Sequence, residues 1–510
     1  MLKIEMPMRA MAVAWLFWMA VGSAVGAEKP ARLPVEILEP VVVQDFGFEK
    51  TLLTFAQERL DLIGRAAHLP GQHPIATVLE MIANPRQWQD KPLFKVEHPD
   101  LVRLFDRRKY ISASDFMSDS TLEQLRSLIQ SKPSVRDAIN DLNERVEALL
   151  DLESQLALVP RRTGEWVAPT TLGRDAGDPT DRAFAKSYMA LKAAVLERNP
   201  ETFATAAREL ATLNQAAARE AGVASWRVRA DILNTRLRAF HWSAALYLLA
   251  ALGYVGALLF RGGRRAATAA SGLMILGLLA QVAGLALRTL LVRRAPLSNM
   301  YESLVFAVGG MVLFAAILDR MYRNTLAGLA GSLLGFVFLV IAVKMPIHQS
   351  RLNQLMPALQ SSWLTYHVTT VMLSYSAFAL SFFVSIVYLA KEAVGGDGTR
   401  GRLLQALPSL DALDFFNYRI VAVGFPLLTL GIFTGAVWAA TAWGRPWAFD
   451  PKETWSAITW LVYGVYLHTR LMGGWKGRRS AILAIVGFAA VLFTYVGVNY
   501  LLPGLHSYAK

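Results

Sequence analysis

"WGRPWAFDPKETW", residues 443–455, stands between two apolar stretches that are each long enough to cross a membrane. Gly444 and Pro446 favour a turn, and Asp450 followed by Pro451 is typical of the start of a helix. The predicted arrangement is therefore a helix, a short loop at the membrane surface and a second helix. Tryptophans gather at membrane interfaces without binding anything, but such a belt does not require a loop so short and so aromatic.

The whole chain has the composition of a membrane protein. Of its 510 residues 54% are hydrophobic and the mean hydropathy is positive, which is too apolar for a soluble protein of this length. The formal charge of +13 fits Lys and Arg retained in inner loops, so nucleic acid is not a predicted partner. Cysteine is absent, which excludes disulfides, thiolate sites and a C-x-x-C-H motif in this chain.

The first part of the chain predicts export. Residues 1–27 carry basic residues, an apolar run and small residues before Glu28, as a secretory signal peptide does. An uncleaved N-terminal anchor is the alternative. Residues 28–238 are mixed and polar, with helix-like stretches between Pro- and Gly-containing loops, and predict one mainly helical extracytoplasmic domain.

Residues 239–510 are the predicted membrane domain. Eight apolar segments follow one another there, each near the roughly 20 residues that a spanning helix requires. The predicted fold class is all-α, a polytopic helical membrane protein with about eight transmembrane helices and an N-terminal extracytoplasmic domain. The eight segments are 242–260, 271–292, 300–318, 325–343, 363–390, 416–440, 455–471 and 480–502.

The charges of the connections predict the orientation. A chain that starts outside places four basic connections in the cytoplasm, at 261–265, 319–324, 391–402 and 473–479, as the positive-inside rule requires. The N-terminal domain, the aromatic loop and the C-terminus then lie on the outer side, which predicts a bacterial inner membrane protein with a periplasmic domain.

Four cations fall at predicted outer ends, against this rule: Arg288, Arg293, Arg294 and Lys344. They either snorkel to lipid headgroups or form a cationic rim for an anionic ligand on the outer side.

Three histidines stand out once this topology is drawn. His367 starts the fifth span, His506 follows the last span, and His468 lies about 20 Å further into the membrane than Trp455, by the rise of a helix. A single histidine at a membrane interface is more often a packed residue than a ligand. Two outer imidazoles beside an aromatic loop, however, are what axial ligation of a haem on that face requires.

Residues 443–470 resemble the tryptophan-rich signature of the WWD-domain haem-handling proteins, most closely the CcsA/ResC type of System II cytochrome c biogenesis, which is related to CcmC and CcmF. The segments 296–304, 359–380 and 496–508 are similar to further segments of that family. The resemblance covers about 270–510.

The resemblance implies that haem b, held non-covalently as a transported substrate, is bound in the membrane domain. By match of motif, His367 and His506 are the external axial ligands of the iron, and His468 is the transmembrane ligand. The other haem-contacting residues implied by the motif are Trp443, Trp447, Phe449, Asp450 and Trp455.

The resemblance also implies the function: a haem-transporting and haem-attaching subunit of System II cytochrome c synthase, a cytochrome c haem lyase. Haem is presented to the C-x-x-C-H motif of apocytochrome c, and thioether bonds form. The implied partners are a CcsB/ResB-type membrane subunit, expected to supply a histidine opposite His468, together with apocytochrome c and thiol-reducing proteins. A haem exporter or chaperone that makes no bond is the alternative, and a di-haem electron-transfer subunit is a third class.

The sequence departs from the family pattern at Phe449, where the family usually has tryptophan. A flat apolar face survives, but an indole N–H donor is lost. Asp450, Lys452 and Glu453 either orient the apocytochrome or cap the following helix, and capping is the simpler interpretation of Asp450.

Overall fold

The computed structural model describes residues 32–161, 163–172, 178–260, 263–322, 325–352, 359–395, 405–502 and 504. The described chain is mostly helical, as predicted, and contains seven helices that are long and apolar enough to cross a membrane. The predicted signal peptide and His506 lie outside the described residues.

The N-terminal region, up to residue 237, combines helices with three antiparallel two-stranded sheets. The sheets are the hairpin of β1 (Val42–Asp45) with β2 (Phe48–Thr51), the pair β3 (Phe94–Lys95) with β4 (Tyr110–Ile111), and the hairpin of β5 (Val159–Pro160) with β6 (Trp166–Val167). The helices are α1 (Leu52–Ile63), α2 (Pro74–Ala83), α3 (Pro85–Gln89), α4 (Pro99–Leu104), α5 (Ala113–Met117), α6 (Asp119–Ser131), α7 (Arg136–Leu150), α8 (Pro179–Glu197), α9 (Pro200–Glu220) and α10 (Ser225–Leu237).

Local sequence accounts for where these helices begin. Asn199 precedes α9, and its side-chain oxygen accepts hydrogen bonds from the backbone N–H groups of Glu201 and Thr202. Proline at the first helical position loses no hydrogen bond, because that N–H has no partner inside a helix. The apolar faces of the helices meet in one buried core around Phe55, Phe184 and other large side chains.

A buried polar cluster ties the hairpin β1–β2 to α10. Asp231 of α10 accepts hydrogen bonds from the backbone N–H and the hydroxyl of Thr51, at 2.8 and 2.6 Å. Lys50 donates to Asp45 and Glu58 at 2.9 and 2.7 Å. Burial by itself lowers the pKa of Lys50, but the carboxylates of Glu58 and Asp45 outweigh it and raise that pKa above its ordinary value. The hairpin is therefore held rigidly to α10.

The membrane region follows, as a bundle of long helices. Helix α10 passes into α11 through Arg238, which adopts a left-handed conformation. The helices of this region are α11 (Ala239–Leu259), α12 (Gly263–Val292), α13 (Met300–Tyr322), α14 (Thr325–Val343), the short α15 (Ile347–Ser350), α16 (Ser362–Ala393), α17 (Leu410–Trp443), α18 (Pro451–Leu471) and α19 (Arg478–Leu492). A wide helical turn, Phe493–Gly497, extends α19 to Val498–Leu501.

Several helices are longer than the predicted spans. Helix α17 covers Leu410–Trp443, whereas the apolar segment was predicted at 416–440. The apolar run marks only the part that faces hydrocarbon, while helical hydrogen bonding continues into the interface, where polar residues are tolerated.

Helix α18 corresponds to the seventh predicted span, 455–471, and is more polar than the seven apolar helices. Near its end, Arg470 donates two hydrogen bonds of 2.6 Å to Asp414, close to the start of α17. At its beginning, Lys452 donates to Asn499, at the end of the extended α19. Its 21 residues, roughly 31 Å at the helical rise, are long enough to cross a membrane and run from the end of the extended α19 to the level of Asp414. We call the end of the bundle that carries Trp443 the aromatic end.

Two of the four cations that break the positive-inside pattern are paired inside the protein. Arg288 and Arg294 each approach a different carboxylate oxygen of Glu302 at 3.1 Å, and Glu302 is 1% exposed. Glu302 offsets one of these two positive charges, and both guanidinium groups are largely buried against it, so lipid snorkelling does not describe these two residues. Arg293 and Lys344 are exposed.

Candidate functional site

His367 is held in a defined orientation near the start of α16. Its Nδ1 atom donates a hydrogen bond of 2.7 Å to the backbone carbonyl of Gly431 on α17. This bond places the ring proton on Nδ1 and the lone pair on Nε2, the tautomer that an iron-ligating histidine needs. The ring stacks on Trp438, with centroids 6.0 Å apart and planes inclined by 19°.

The close approach of α17 to this imidazole depends on a glycine. A Cβ atom at Gly435 would lie 2.7 Å from both Cε1 and Nδ1 of His367. Real Cβ atoms essentially never come within 3.0 Å of another heavy atom, so any side chain here must displace the ring. Gly431 and Gly435 are one helical turn apart and together form the surface of α17 that the imidazole contacts.

The aromatic loop is a rigid connection between α17 and α18. Helix α17 ends at Trp443, and Gly444 follows with φ of +74°, a conformation that glycine adopts without strain. Asp450 caps α18 by accepting a hydrogen bond from the N–H of Lys452. Glu453 completes the capping box and also accepts from the N–H of Ala448, at 2.7 Å. The capping interpretation of Asp450 is confirmed.

The aromatic side chains of the loop have different surroundings. Trp447 lines the cavity described below, and Trp443 packs against Trp438 at a centroid distance of 4.9 Å. Trp455 packs on Phe493 at 4.1 Å and is not among the cavity-lining residues. Phe449 is 81% exposed and has φ of +56°, a strained value for a side-chain-bearing residue.

A cavity of about 210 Å³ lies at the aromatic end. Residues of α13, α16, α17, α18 and the extended α19 line it, and His367 and Trp447 are the predicted haem residues among them. The volume is below the roughly 300–1,000 Å³ typical of small-molecule pockets, so a macrocycle here is enclosed only in part. The wall is mostly aliphatic and aromatic, which suits a flat apolar molecule.

A polar network borders the cavity on the side of α18. Lys452 donates to Asn499 Oδ1 at 2.9 Å, and Asn499 donates to the backbone carbonyl of Tyr495 at 2.8 Å. The hydroxyl of Tyr495 lies 2.8 Å from that of Ser303 on α13. The network joins α13, α18 and α19 around the cavity.

Sequence reasoning missed Trp438, Asn499 and Tyr495. Trp438 stands five residues before Trp443 inside an apolar run, where nothing marks it as more than a lipid-facing aromatic residue. Asn499 offered a signal, because an amide in an apolar segment requires a partner.

The other two predicted iron ligands are not part of the described cavity. His506 lies outside the described residues, but Gly504, two positions earlier, approaches the aromatic loop: a Cβ there would lie 2.6 Å from Asp450 Oδ2. His468 lies near the far end of α18, where its side chain is exposed on the surface of the bundle. His367 and His468 are thus at opposite ends of the helices that carry them.

Comparison with known proteins gives a consistent result. The cytochrome c assembly protein family matches residues 297–506. CcsA of Porphyra purpurea is 38% identical over 249 residues, which cover 42% of this chain and 78% of that protein. CcsA of Synechococcus elongatus is 38% identical over 255 residues with the same coverage, and CcsA of Chlamydomonas reinhardtii is 42% identical over 217 residues, with 42% and 60% covered.

These relatives carry the name cytochrome c biogenesis protein, and the family match takes in the cavity, His367 and the aromatic loop together. This multi-pass membrane protein therefore belongs to the CcsA family of cytochrome c biogenesis proteins.

Proposed function

We propose that the cavity at the aromatic end holds haem b as a substrate and that His367 is one axial ligand of its iron. The observation that carries this proposal is the orientation of the imidazole. The Gly431 carbonyl takes the Nδ1 proton, Trp438 stacks on one face, and the ring lines an apolar cavity. A hydrogen bond to the distal nitrogen is what orients metal-bound histidines and makes them more basic.

His506 is the second ligand in this proposal. The approach of Gly504 to Asp450 supports it, because the chain two positions before His506 lies against the aromatic loop, whose Trp447 lines the cavity. Trp443, Trp447, Phe449, Asp450 and Trp455 then act in different ways. Trp447 covers the macrocycle, Trp443 supports Trp438, and Asp450 and Trp455 fix the loop. The exposed Phe449 faces whatever approaches from outside the bundle.

The reaction that follows is attachment to apocytochrome c. Each thioether bond forms when a cysteine S–H adds across a vinyl C=C of haem, so no atom leaves and no net electrons are exchanged. The thiols come from the C-x-x-C-H motif of the apocytochrome, because this chain has no cysteine. Thiol-reducing proteins keep them reduced. The protein contributes position: it holds the macrocycle still while the thiols approach.

Haem reaches this cavity from the other end of the bundle, with His468 as a second iron site along the route. An imidazole exposed on the side of a membrane helix is costly unless something covers it, which supports a CcsB/ResB-type subunit packed on α18. We place the aromatic end and the N-terminal region on the extracytoplasmic side, of the inner membrane if the chain is bacterial. Because the relatives come from both cyanobacteria and algae, a thylakoid membrane is the alternative location.

The test is the optical spectrum of the full chain purified with its partner subunit. We expect non-covalent low-spin haem, depleted by His367→Ala and by His506→Ala and restored in each by added imidazole. His348→Ala is the matched control, because His348 is exposed and does not line the cavity. If neither His367→Ala nor His506→Ala changes the haem content, the ligand assignment is refuted. Haem that stays on apocytochrome after denaturation distinguishes attachment from delivery alone.

A further inference from the structure

A second cavity, of about 470 Å³, adjoins the first at the aromatic end. The two share four lining residues: Leu297, Ser298, Leu359 and Leu364. The second cavity also takes in Arg293, Arg294 and the side chains at the start of α16, and we call it the basic compartment. A ligand that fills the apolar cavity and extends past Leu364 enters this compartment.

The chemistry of the basic compartment is opposite to that of the first cavity. Its described lining includes two arginines, four hydroxyl side chains and one amide, and no acidic side chain. Arg294 is engaged with Glu302, whereas Arg293 is exposed and makes no ion pair with the residues that the structure describes. Every one of these groups can donate a hydrogen bond. The hydroxyls are those of Ser298, which already donates to Glu302, and of Ser361, Ser362 and Thr365.

The N-terminal region supplies part of the wall. Phe48, at the start of β2, lines the compartment and packs against Leu291 and Leu352 of the membrane region. The guanidinium of Arg227, on α10, lies 5.6 Å from the centre of the Phe48 ring. Since the hairpin is anchored to α10 by Asp231, this wall is a fixed part of the structure.

We propose that the basic compartment binds the propionate carboxylates of haem and that Arg293 is their main cationic partner. This inference rests on the proposed function. Haem has an apolar macrocycle and one acidic edge. The apolar cavity matches the macrocycle, and the adjoining basic compartment matches the acidic edge. An anionic edge is stable in such a place only if cations and donors meet it.

This assignment sets the orientation of the substrate. With the propionates near Arg293, the opposite part of the macrocycle, which bears the vinyl groups, points away from the N-terminal region and towards Trp447 and the polar network of Lys452. The thiols of the apocytochrome then approach beside the aromatic loop. The N-terminal region gains a role as well, because Phe48 closes the side of the site that holds the acidic edge.

The test compares haem with haem dimethyl ester, whose carboxylates carry no charge. The full chain with its partner, in nanodiscs, is titrated with each, and the ratio of the two dissociation constants is measured. We expect wild type to prefer haem, and Arg293→Gln to weaken haem binding about fivefold to tenfold with little change for the ester. Arg293→Lys should keep part of the preference, and Arg293→Glu should reverse it. Arg264→Gln, in the exposed first turn of α12 at the opposite end, is the control.

The outcomes separate the two proposals. A preference for haem that survives in Arg293→Gln overturns the inference and leaves the proposed function standing. An equal loss for haem and ester also overturns it, because that pattern indicates a structural role for Arg293. Wild type that binds neither ligand overturns the proposed function itself.

Discussion

Substituting Gly435 by alanine adds a single methyl group directly against the imidazole of His367. The new Cβ would lie 2.7 Å from Nδ1 and Cε1, and ordinary contact begins near 3.4 Å. The ring must therefore retreat by about 0.7 Å, the difference between these distances. Nδ1 is the atom that donates to Gly431, so the retreat stretches or breaks the 2.7 Å hydrogen bond that orients the ring.

The size of the effect follows from what this hydrogen bond does. Loss of an outer partner of a metal-bound histidine typically costs 10–100-fold in metal affinity. At about 1.4 kcal/mol for each factor of ten, the variant loses about 1.4–2.8 kcal/mol of haem binding. Alanine also favours a helix over glycine by roughly 1 kcal/mol, so α17 itself is not weakened.

The assay is haem content and the low-spin spectrum of the purified complex, with elution volume as the check on folding. Gly464→Ala is the matched control: Gly464 lies on α18, and a Cβ there meets Phe425 at an ordinary 3.7 Å. We expect the control to keep its haem and Gly435→Ala to lose most of it. If both variants keep wild-type haem and spectrum, the iron does not depend on the orientation of His367, and the proposed ligand is wrong.

Two further substitutions test the aromatic loop, one tests the far end of α18, and one tests the N-terminal region. Asp414→Ala leaves the nearly buried guanidinium of Arg470 unpaired and should cost about 3–5 kcal/mol, measured as a lower thermal unfolding midpoint in detergent. Asp450→Ala removes a helix cap worth about 1 kcal/mol, and we expect faster proteolysis at the aromatic loop. Phe449→Ala should change stability by less than about 0.5 kcal/mol, because the ring is exposed, yet lower the yield of holocytochrome. Lys50→Met leaves the carboxylate of Glu58 without its cation, while Asp45 keeps Arg59, and should unfold the N-terminal region at lower temperature. Since the pKa of Lys50 is raised, its contribution in wild type is complete below pH 10.5 and is lost only as the pH rises through that higher pKa.

Much of the fold followed from apolar length. A run of about 20 apolar residues crosses a membrane as a helix because every backbone group is satisfied inside the helix, whatever its neighbours do. The seven apolar helices were predicted for that reason. Helix α18 was also predicted as a span although it is more polar, and the Asp414–Arg470 pair ties its far end to the level where α17 begins.

The candidate site was predicted in part. The aromatic loop and His367 were found by motif, and the helix-capping role of Asp450 followed from the sequence Asp-Pro at a helix start. The separation of Trp455 from the cavity, and the presence of Trp438 in the site, depend on the rotation of α17 and α18 about their axes. Local sequence does not determine that rotation, because both helices have apolar residues on most of their faces.

By itself the sequence determined that this is a membrane protein with a polar N-terminal region, and it identified the loop with the unusual aromatic composition. It did so because hydropathy and helix capping depend on residues that are close together in the sequence. Only the tertiary structure decided which side chains are in contact. Gly431 and Gly435 let α17 approach His367, and Glu302 pairs with two arginines. Phe48 lines the basic compartment although it lies more than 240 positions away from Arg293 in the sequence. Such contacts depend on side-chain volume and charge across packed helices, and residues distant in sequence share them only once the chain is folded.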